Sequence, residues 1–396
     1  MSYEFLVWDF GICDLHFAFS LCRIIESEEA DNELSVARSY KNKSSFIFLC
    51  DLVSLRLKKT NYMNQPINIA LVTGGYSGES VISYKSAKTI YTHLNKSRYN
   101  VFVIDIAKEG WTYEEANGNK QPVNKNDFTI TVDGNKIVFD CVFIGMHGTP
   151  GEDGKLQGYF DTLNLPYTSS SSATSAITFN KRYTVAVAAF AGIHVAKSVH
   201  LFKHLPIHPN AINLKLPVFV KPNNGGSSIG MSKVSKQEDL AAAIEKAFTE
   251  DEQVLVEEMI TGREFTIAVF KSKGEIIAMP MTEVKADTDM EFFDFVAKYQ
   301  GKSTEITPAE ASEEMYQKVS ESAKKIYAIF NCGGVIRIDF IYNEEMNEPF
   351  MLEINSIPGQ TDASIVPQQV RAMGWELEDF YSALVEEAIT NHRLSF

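Results

Sequence analysis

The cleanest alternation of apolar and polar residues lies in two runs near the C-terminal end, Gly334–Tyr342 and Pro349–Asn355. A period of two is that of a half-buried strand. It places Arg337 and Asp339 on one face of the first strand, and Glu353 and Asn355 on one face of the second. The polar link Asn343–Asn347 is short enough for a hairpin. Pairing of the two strands would bring three oxygen donors, Asp339, Glu353 and Asn355, beside a guanidinium. Hard oxygen donors next to a cation suit Mg2+ bridging nucleotide phosphates. Taken alone, the pattern equally fits an ordinary hairpin with a solvated face.

From Met63 onward, apolar strand patterns alternate with helical ones, which predicts an α/β architecture. Strands are expected at Ile67–Val72, Val101–Ile106 and Ile137–Ile144, with helices at Glu79–Leu94, Asp153–Leu163 and Thr174–Phe190. Next come strands at Val195–Leu201, Val218–Lys221 and Val254–Glu257. Ser235 and Glu238 read as a capping box opening a helix over Lys236–Phe248. Glu264–Phe270 and Glu275–Met281 read as a hairpin turning at Lys273-Gly274. A charged, aromatic loop is expected over Glu283–Thr307. Thr307-Pro308-Ala-Glu310 then reads as the start of a long helix ending at Cys332-Gly333-Gly334. An amphipathic helix from about Gln368 closes the chain. Residues 1–62 carry no repeat or chemical motif. They read as an upstream segment, with Met63 as the natural start, or as an extension that packs on the body or a partner.

Composition narrows the function classes. The chain has 396 residues, 45% hydrophobic and 22% charged, which is that of a soluble globular protein with room for two or three domains. A net charge of −14 without a basic stripe argues against nucleic acid as a partner. Its five cysteines form no CxxC pair, which favours a reducing cytoplasm over a disulfide framework or structural zinc. No apolar run has the length of a membrane span, and Glu4, Asp9 and Asp14 break up the only stretch resembling a signal peptide.

Several motifs carry candidate chemistry. Lys221-Pro222-Asn-Asn-Gly225-Gly226-Ser227-Ser228 follows a strand, where glycine allows backbone N–H groups to approach phosphate closely. A flexible turn with solvated serines is the plainer reading. No Walker A sequence exists, since Gly154-Lys155 is followed by Leu156, and Gly74-Gly75-Tyr-Ser-Gly78 lacks dinucleotide-fingerprint spacing. Glu257 and Glu264 flank Gly262 and offer acceptors for an adenine amino group or ribose hydroxyls, although a surface acidic cluster reads the same way. Glu79 opens a helix, either as a dipole-matched charge or as a clamp for a substrate ammonium. His147-Gly148 and Glu152-Asp153-Gly154 follow a strand end, where open α/β sheets place ligands.

Together these residues resemble the D-alanine–D-alanine ligases, members of the ATP-grasp superfamily. The likeness runs from about Ile67 to the end. It rests on Gly74–Glu79, His147–Gly158, Leu165–Thr168, Asn180-Lys181, Lys221–Ser228, the Glu257 and Glu264 segment, Ala297–Tyr299, Arg337–Asp339 and Glu353–Gly359.

The resemblance implies an α/β, three-domain ATP-grasp architecture: residues 1–62 as an extension, 63–168 as an open α/β substrate domain, 169–258 as the central domain and 259–396 as the catalytic domain. The nucleotide site would lie between the last two. It also implies ATP-dependent joining of two D-alanine molecules through an acyl phosphate, for peptidoglycan synthesis. Asp339, Glu353 and Asn355 would hold two Mg2+ (or Mn2+) ions. Lys181, Lys221 and Lys298 would contact phosphates, Glu257 adenine and Glu264 ribose. Arg337 and the Gly359 N–H would stabilise the tetrahedral oxyanion. Glu79 would bind the first D-alanine ammonium, and Ser364 would meet the second substrate's carboxylate. Ser227 and Tyr299 would link to Glu79.

A homodimer in the cytoplasm is expected on the same basis. Two departures stand out: Ser80-Val81 follow Glu79 where arginine is common, and Gly225 stands where many members carry glutamate. The alternatives are a related ligase making D-alanyl-D-lactate or D-alanyl-D-serine, and a non-catalytic nucleotide-binding regulator.

Overall fold

The computed structural model describes residues 66–225, 229–286 and 303–394. The apolar run after Pro66 forms β1 (Ile67–Gly74), whose interior residues are fully buried. β1 runs parallel to β2 (Tyr99–Ile106) and to β7 (Cys141–Ile144). Helix α1 (Ser80–His93) makes the crossover from β1 to β2. Antiparallel β3 (Trp111–Glu114) and β4 (Lys120–Pro122) extend this first sheet. β5 (Ile130–Val132) and β6 (Asn135–Ile137) form a separate small hairpin. The predicted strand Ile137–Ile144 is therefore divided. Asn68 explains the break: its N–H is held by the Asp140 carboxylate at 2.8 Å, and its side chain donates to the Val138 carbonyl at 3.0 Å.

Helix α2 (Lys155–Thr162) follows. The helix expected over Thr174–Phe190 is two helices, α3 (Ser172–Phe179) and α4 (Lys181–Phe190). Asn180 between them has φ −98° and ψ 106°, and its side chain accepts from Tyr183 N at 3.1 Å. An N-cap inside an apolar helical pattern restarts the helix and sets Lys181 at its first turn.

The second sheet is antiparallel, in the order β10 (Ser232–Val234), β9 (Val218–Pro222), β11 (Gln253–Glu258), β8 (Ser198–Phe202). Val218, Val220, Val254 and Val256 pack on α5 (Leu240–Ala247). That helix starts four residues later than the capping box predicts, because Gln237–Asp239 form a 3-10 turn and no side chain caps it.

The third sheet runs β15 (Ser303–Ile306), β14 (Thr282–Ala286), β12 (Arg263–Ser272), β16 (Val335–Asn343), β17 (Glu348–Asn355), with β13 (Glu275–Ala278) also on β12. Lys273 and Gly274, at φ 52° and 83°, make the primed hairpin turn that strand twist favours. The loop expected over Glu283–Thr307 has strand stems, and its centre lies outside the described residues. Helix α6 (Glu313–Ile329) does not start at Thr307. The Thr307 hydroxyl is engaged with Thr282 at 2.6 Å, and Ser312 caps instead, accepting from Met315 N at 3.2 Å.

One face of the third sheet buries Phe265, Ile267, Ile336, Ile338 and Ile354 against α6. Each such side chain is worth roughly 1.5–3 kcal/mol of burial, enough to fix which face holds the polar set. The C-terminal helical stretch is two helices, α7 (Ile365–Ala372) and α8 (Leu377–Leu394), separated at Gly374, φ 81°. Among the described residues no helix is long and apolar enough to cross a membrane.

Candidate active site

The polar face of the third sheet forms one wall of a cleft of about 540 Å³. The strand register sets this wall. Thr266, Asp339 and Glu353 pair directly across β12, β16 and β17, while Arg337 pairs with Asn355. Asp339 is held from three sides. The Arg337 guanidinium forks onto it, with Nε to Oδ1 and Nη2 to Oδ2 both at 2.8 Å. Thr266 Oγ1 donates at 2.5 Å and Asn355 Nδ2 at 3.2 Å. Burial opposes the charge on Arg337, but Asp339 outweighs it and holds the guanidinium above its usual pKa. The register slips after Asp339, so Phe340 pairs with Met351 and the alternation is reset beyond the polar set.

Further lining comes from the start of α1 and the loop after β7. Glu79 caps α1 through its backbone position, with no side-chain cap bond, so its carboxylate faces the cleft. Gly148, at φ 67°, packs against it: a Cβ there would lie 2.7 Å from Glu79 Oε2. Glu152 bridges two segments, accepting from Gly148 N at 2.7 Å and Ile357 N at 3.3 Å. Burial, and then the neighbouring Glu79 charge, push its carboxyl up to about 8 despite those donors. His147 is tied at both ring nitrogens, Nδ1 to the Ile357 carbonyl and Nε2 to Ser86 Oγ, each at 2.9 Å. Desolvation lowers it to about 4, so it stays neutral with the proton on Nδ1. Ser86 Oγ in turn accepts from Gln360 N at 3.1 Å, which fixes the loop that carries Gly359. A Cβ on Gly359 would lie 2.9 Å from Ser364 Oγ, so the two residues touch across the cleft floor.

Lys181 reaches the cleft from α4 and donates to the Gly225 carbonyl at 2.6 Å. Burial lowers its pKa, partly offset by Glu353.

Of the residues singled out from the sequence, Glu79, Lys181, Glu264, Arg337, Asp339, Glu353, Asn355, Gly359 and Ser364 line this one cleft. Lys221 and Glu257 do not line it; they pair with each other from neighbouring positions on β9 and β11. Ser227, Lys298 and Tyr299 lie outside the described residues. His147 and Glu152 were legible only as a glycine-rich motif; their bonds to Ile357, more than 200 residues on, have no local sequence signal. Glu305 is a further lining carboxylate, and it lies in what the sequence presents as loop.

Among the described residues no three His, Cys, Asp or Glu side chains close on a metal position. The donor set at the hairpin is two carboxylates and an amide. Such oxygen donors fit Mg2+ when substrate phosphates complete the shell.

A cleft walled by an antiparallel sheet and lined by carboxylates, an amide, a lysine and an arginine, on a fold shared with solved D-Ala ligases, defines an ATP-grasp ligase. Residues 68–170 match the family model for the D-Ala–D-Ala ligase N-terminus, and residues 179–386 the model for its C-terminus. The chain therefore belongs to the D-alanine–D-alanine ligase family. It is 47% identical over 321 residues to a D-alanine–D-alanine ligase of Flavobacterium johnsoniae, covering 81% of this chain and 98% of the relative. It is 42% identical to that of Parabacteroides distasonis, with 82% and 98% covered. Among solved structures, the VanG D-Ala:D-Ser ligase of Enterococcus faecalis superposes with a TM-score of 0.73 at 30% identity, covering 82% of this chain and 100% of that one. The D-alanyl-alanine synthetase A of Vibrio cholerae gives 0.74 at 26%, with 82% and 99% covered.

Proposed function

We propose that the protein is an ATP-dependent ligase that joins two D-alanine molecules into D-alanyl-D-alanine for peptidoglycan, acting in the cytoplasm as a homodimer. The observation that carries this reading is that one cleft gathers Glu79, Glu152, Arg337, Gly359, Glu353, Asn355 and Lys181, with Arg337 close enough to act on Glu152 and Glu353 close enough to act on both Arg337 and Lys181. Those groups supply what a substrate ammonium, a reacting carbonyl and a polyphosphate each require. In this reading residues 63–168 form the substrate domain, and residues 169–258 and 259–396 grip the nucleotide. Residues 1–62 take no part.

The carboxylate of the first D-alanine attacks the γ-phosphorus of ATP and releases ADP, leaving an acyl phosphate. The amine of the second D-alanine attacks the acyl carbon. The tetrahedral adduct loses a proton and expels phosphate to give the dipeptide. Such chemistry needs mainly positioning and charge neutralisation. Glu79 holds the first ammonium. Arg337 and the Gly359 N–H meet the developing oxyanion. Ser364 takes the second carboxylate. Lys181, Lys221 and Lys298 hold phosphates, which for Lys221 means leaving or sharing its bond to Glu257. Glu257 and Glu264 serve adenine and ribose, and Ser227 and Tyr299 close on Glu79. Mg2+ or Mn2+ held by Asp339, Glu353 and Asn355 would supply charge neutralisation at the transferred phosphate.

The test is ADP release with D-alanine, D-serine or D-lactate as second substrate, with products identified by mass. D-Alanine-dependent ADP release with D-alanyl-D-alanine as the main product is expected. Release indifferent to D-alanine would overturn the reading. A main product of D-alanyl-D-serine or D-alanyl-D-lactate would replace it with the related ligase.

A further inference from the structure

Gln369 is a fully buried polar side chain that touches no residue of the reaction, yet every polar atom of its amide is bonded. It lies on α7, five positions beyond Ser364, the residue at that helix's N-terminus. Its Oε1 accepts from Ala268 N at 2.8 Å, and its Nε2 donates to the Thr266 carbonyl at 2.9 Å. The side-chain amide thus stands in for a peptide group along β12, at the gap where β13 has ended and β14 has not begun. The backbone it grips belongs to Thr266, whose hydroxyl holds Asp339 at 2.5 Å.

The remaining Nε2 hydrogen starts a directed chain. Gln369 donates to Thr282 Oγ1 at 3.0 Å. Thr282, having accepted, donates to Thr307 Oγ1 at 2.6 Å, and Thr307 donates to Gln368 Oε1 at 3.4 Å. Gln368 Nε2 then donates to Glu305 Oε2 at 3.2 Å and to the Ala363 carbonyl at 2.9 Å, directly before Ser364. Two adjacent glutamines on α7 therefore tie its N-terminal end to β12, β14 and β15 at once. An apolar residue at 369 could fill the space but would leave Ala268 N–H and the Thr266 carbonyl unpaired, so the amide both satisfies β12 and ties α7 to it.

We propose that Gln369, assisted by Gln368, is a positioning residue that sets Ser364 in register with the Asp339 strand, and so fixes where the second substrate sits relative to the reacting phosphate. The inference rests on the ligase reading above, with Ser364 at the second substrate's carboxylate.

The experiment is steady-state kinetics of Gln369→Leu, Thr282→Val, Ser364→Ala and the double variant Gln369→Leu/Ser364→Ala, each well below its melting temperature. Gln369→Leu leaves Ala268 N–H and the Thr266 carbonyl unpaired. It should raise the second D-alanine KM by about tenfold or more, while the ATP KM moves by less than about twofold. Thr282→Val keeps its shape and breaks only the chain; it should shift the same KM in the same direction, less far. If Gln369 acts through Ser364, the double variant should be no worse than Ser364→Ala alone; a merely structural glutamine would give additive losses. An active wild type with an unchanged second-substrate KM in both Gln369→Leu and Thr282→Val, or with additive losses, overturns the inference alone. A wild type without D-alanine-dependent turnover overturns the ligase reading, and this inference with it. Should Gln369→Leu fail to fold, Thr282→Val decides by the same KM.

Discussion

Glu152 shows how a residue's environment sets its chemistry. Its carboxyl accepts two backbone N–H bonds, which favour the anion, yet burial and the adjacent Glu79 charge win and raise it to about 8. A carboxyl raised in the folded state stabilises the fold while protonated. That contribution is full below the ordinary value of 4.5 and is lost as pH climbs through about 8. Glu152→Gln cannot ionise, so it does not share this pH dependence. The thermal midpoint of the wild type should therefore fall relative to that of Glu152→Gln between about pH 5.5 and about pH 9. A constant difference across that range would mean that Glu152 is ionised throughout. Neither Glu152 nor His147 is decided by its neighbours in sequence: burial is the largest cause for both, joined for Glu152 by the Glu79 charge, and their bonds to Ile357 act the other way.

At the scale of elements, the hairpin of β16 and β17 was legible because a period of two cannot be satisfied by any other element, and register then follows from which face is apolar. Helix ends were less legible, because capping side chains compete. Asn180 cuts a helix that periodicity runs straight through, and Ser312 displaces Thr307 as a cap once Thr282 claims the Thr307 hydroxyl.

The central sheet carries the least expected pairing. Lys221 and Glu257, with side chains only 14% and 8% exposed, satisfy each other rather than opening onto the cleft. Removing one member strands a buried charge, which costs about 3–5 kcal/mol, whereas removing both costs far less. Lys221→Met and Glu257→Gln should each lower the unfolding free energy of the ligand-free protein markedly. The double variant should be more stable than either single one in urea titration. Equal additive losses would show that the two groups are solvated independently.

At the scale of the whole molecule, the sequence marks a change of character near Met63: a chain without motifs gives way to regular alternation of strand and helix. The family models begin at residue 68, and 81% of this chain accounts for 98% of a relative 47% identical to it. Every described residue lining the cleft lies beyond residue 78, and the first sheet, the hairpin sheet and α8 share one apolar core. That core joins Ile69 and Leu71 of β1 to Ala268 and Phe270 of β12 and to Phe380 and Tyr381 of α8. Among the described residues this core is assembled from Ile67 onward. A chain beginning at Met63 should therefore fold and turn over D-alanine with kcat and KM within about twofold of the full chain, and its thermal midpoint should differ by less than about 2 °C, the shift expected from well under 1 kcal/mol in a domain of this size. The two lengths are to be compared side by side by calorimetry and by ADP release. A loss of several degrees, or a rise in the D-alanine KM with no change for ATP, would instead assign residues 1–62 a place against the substrate end of the cleft.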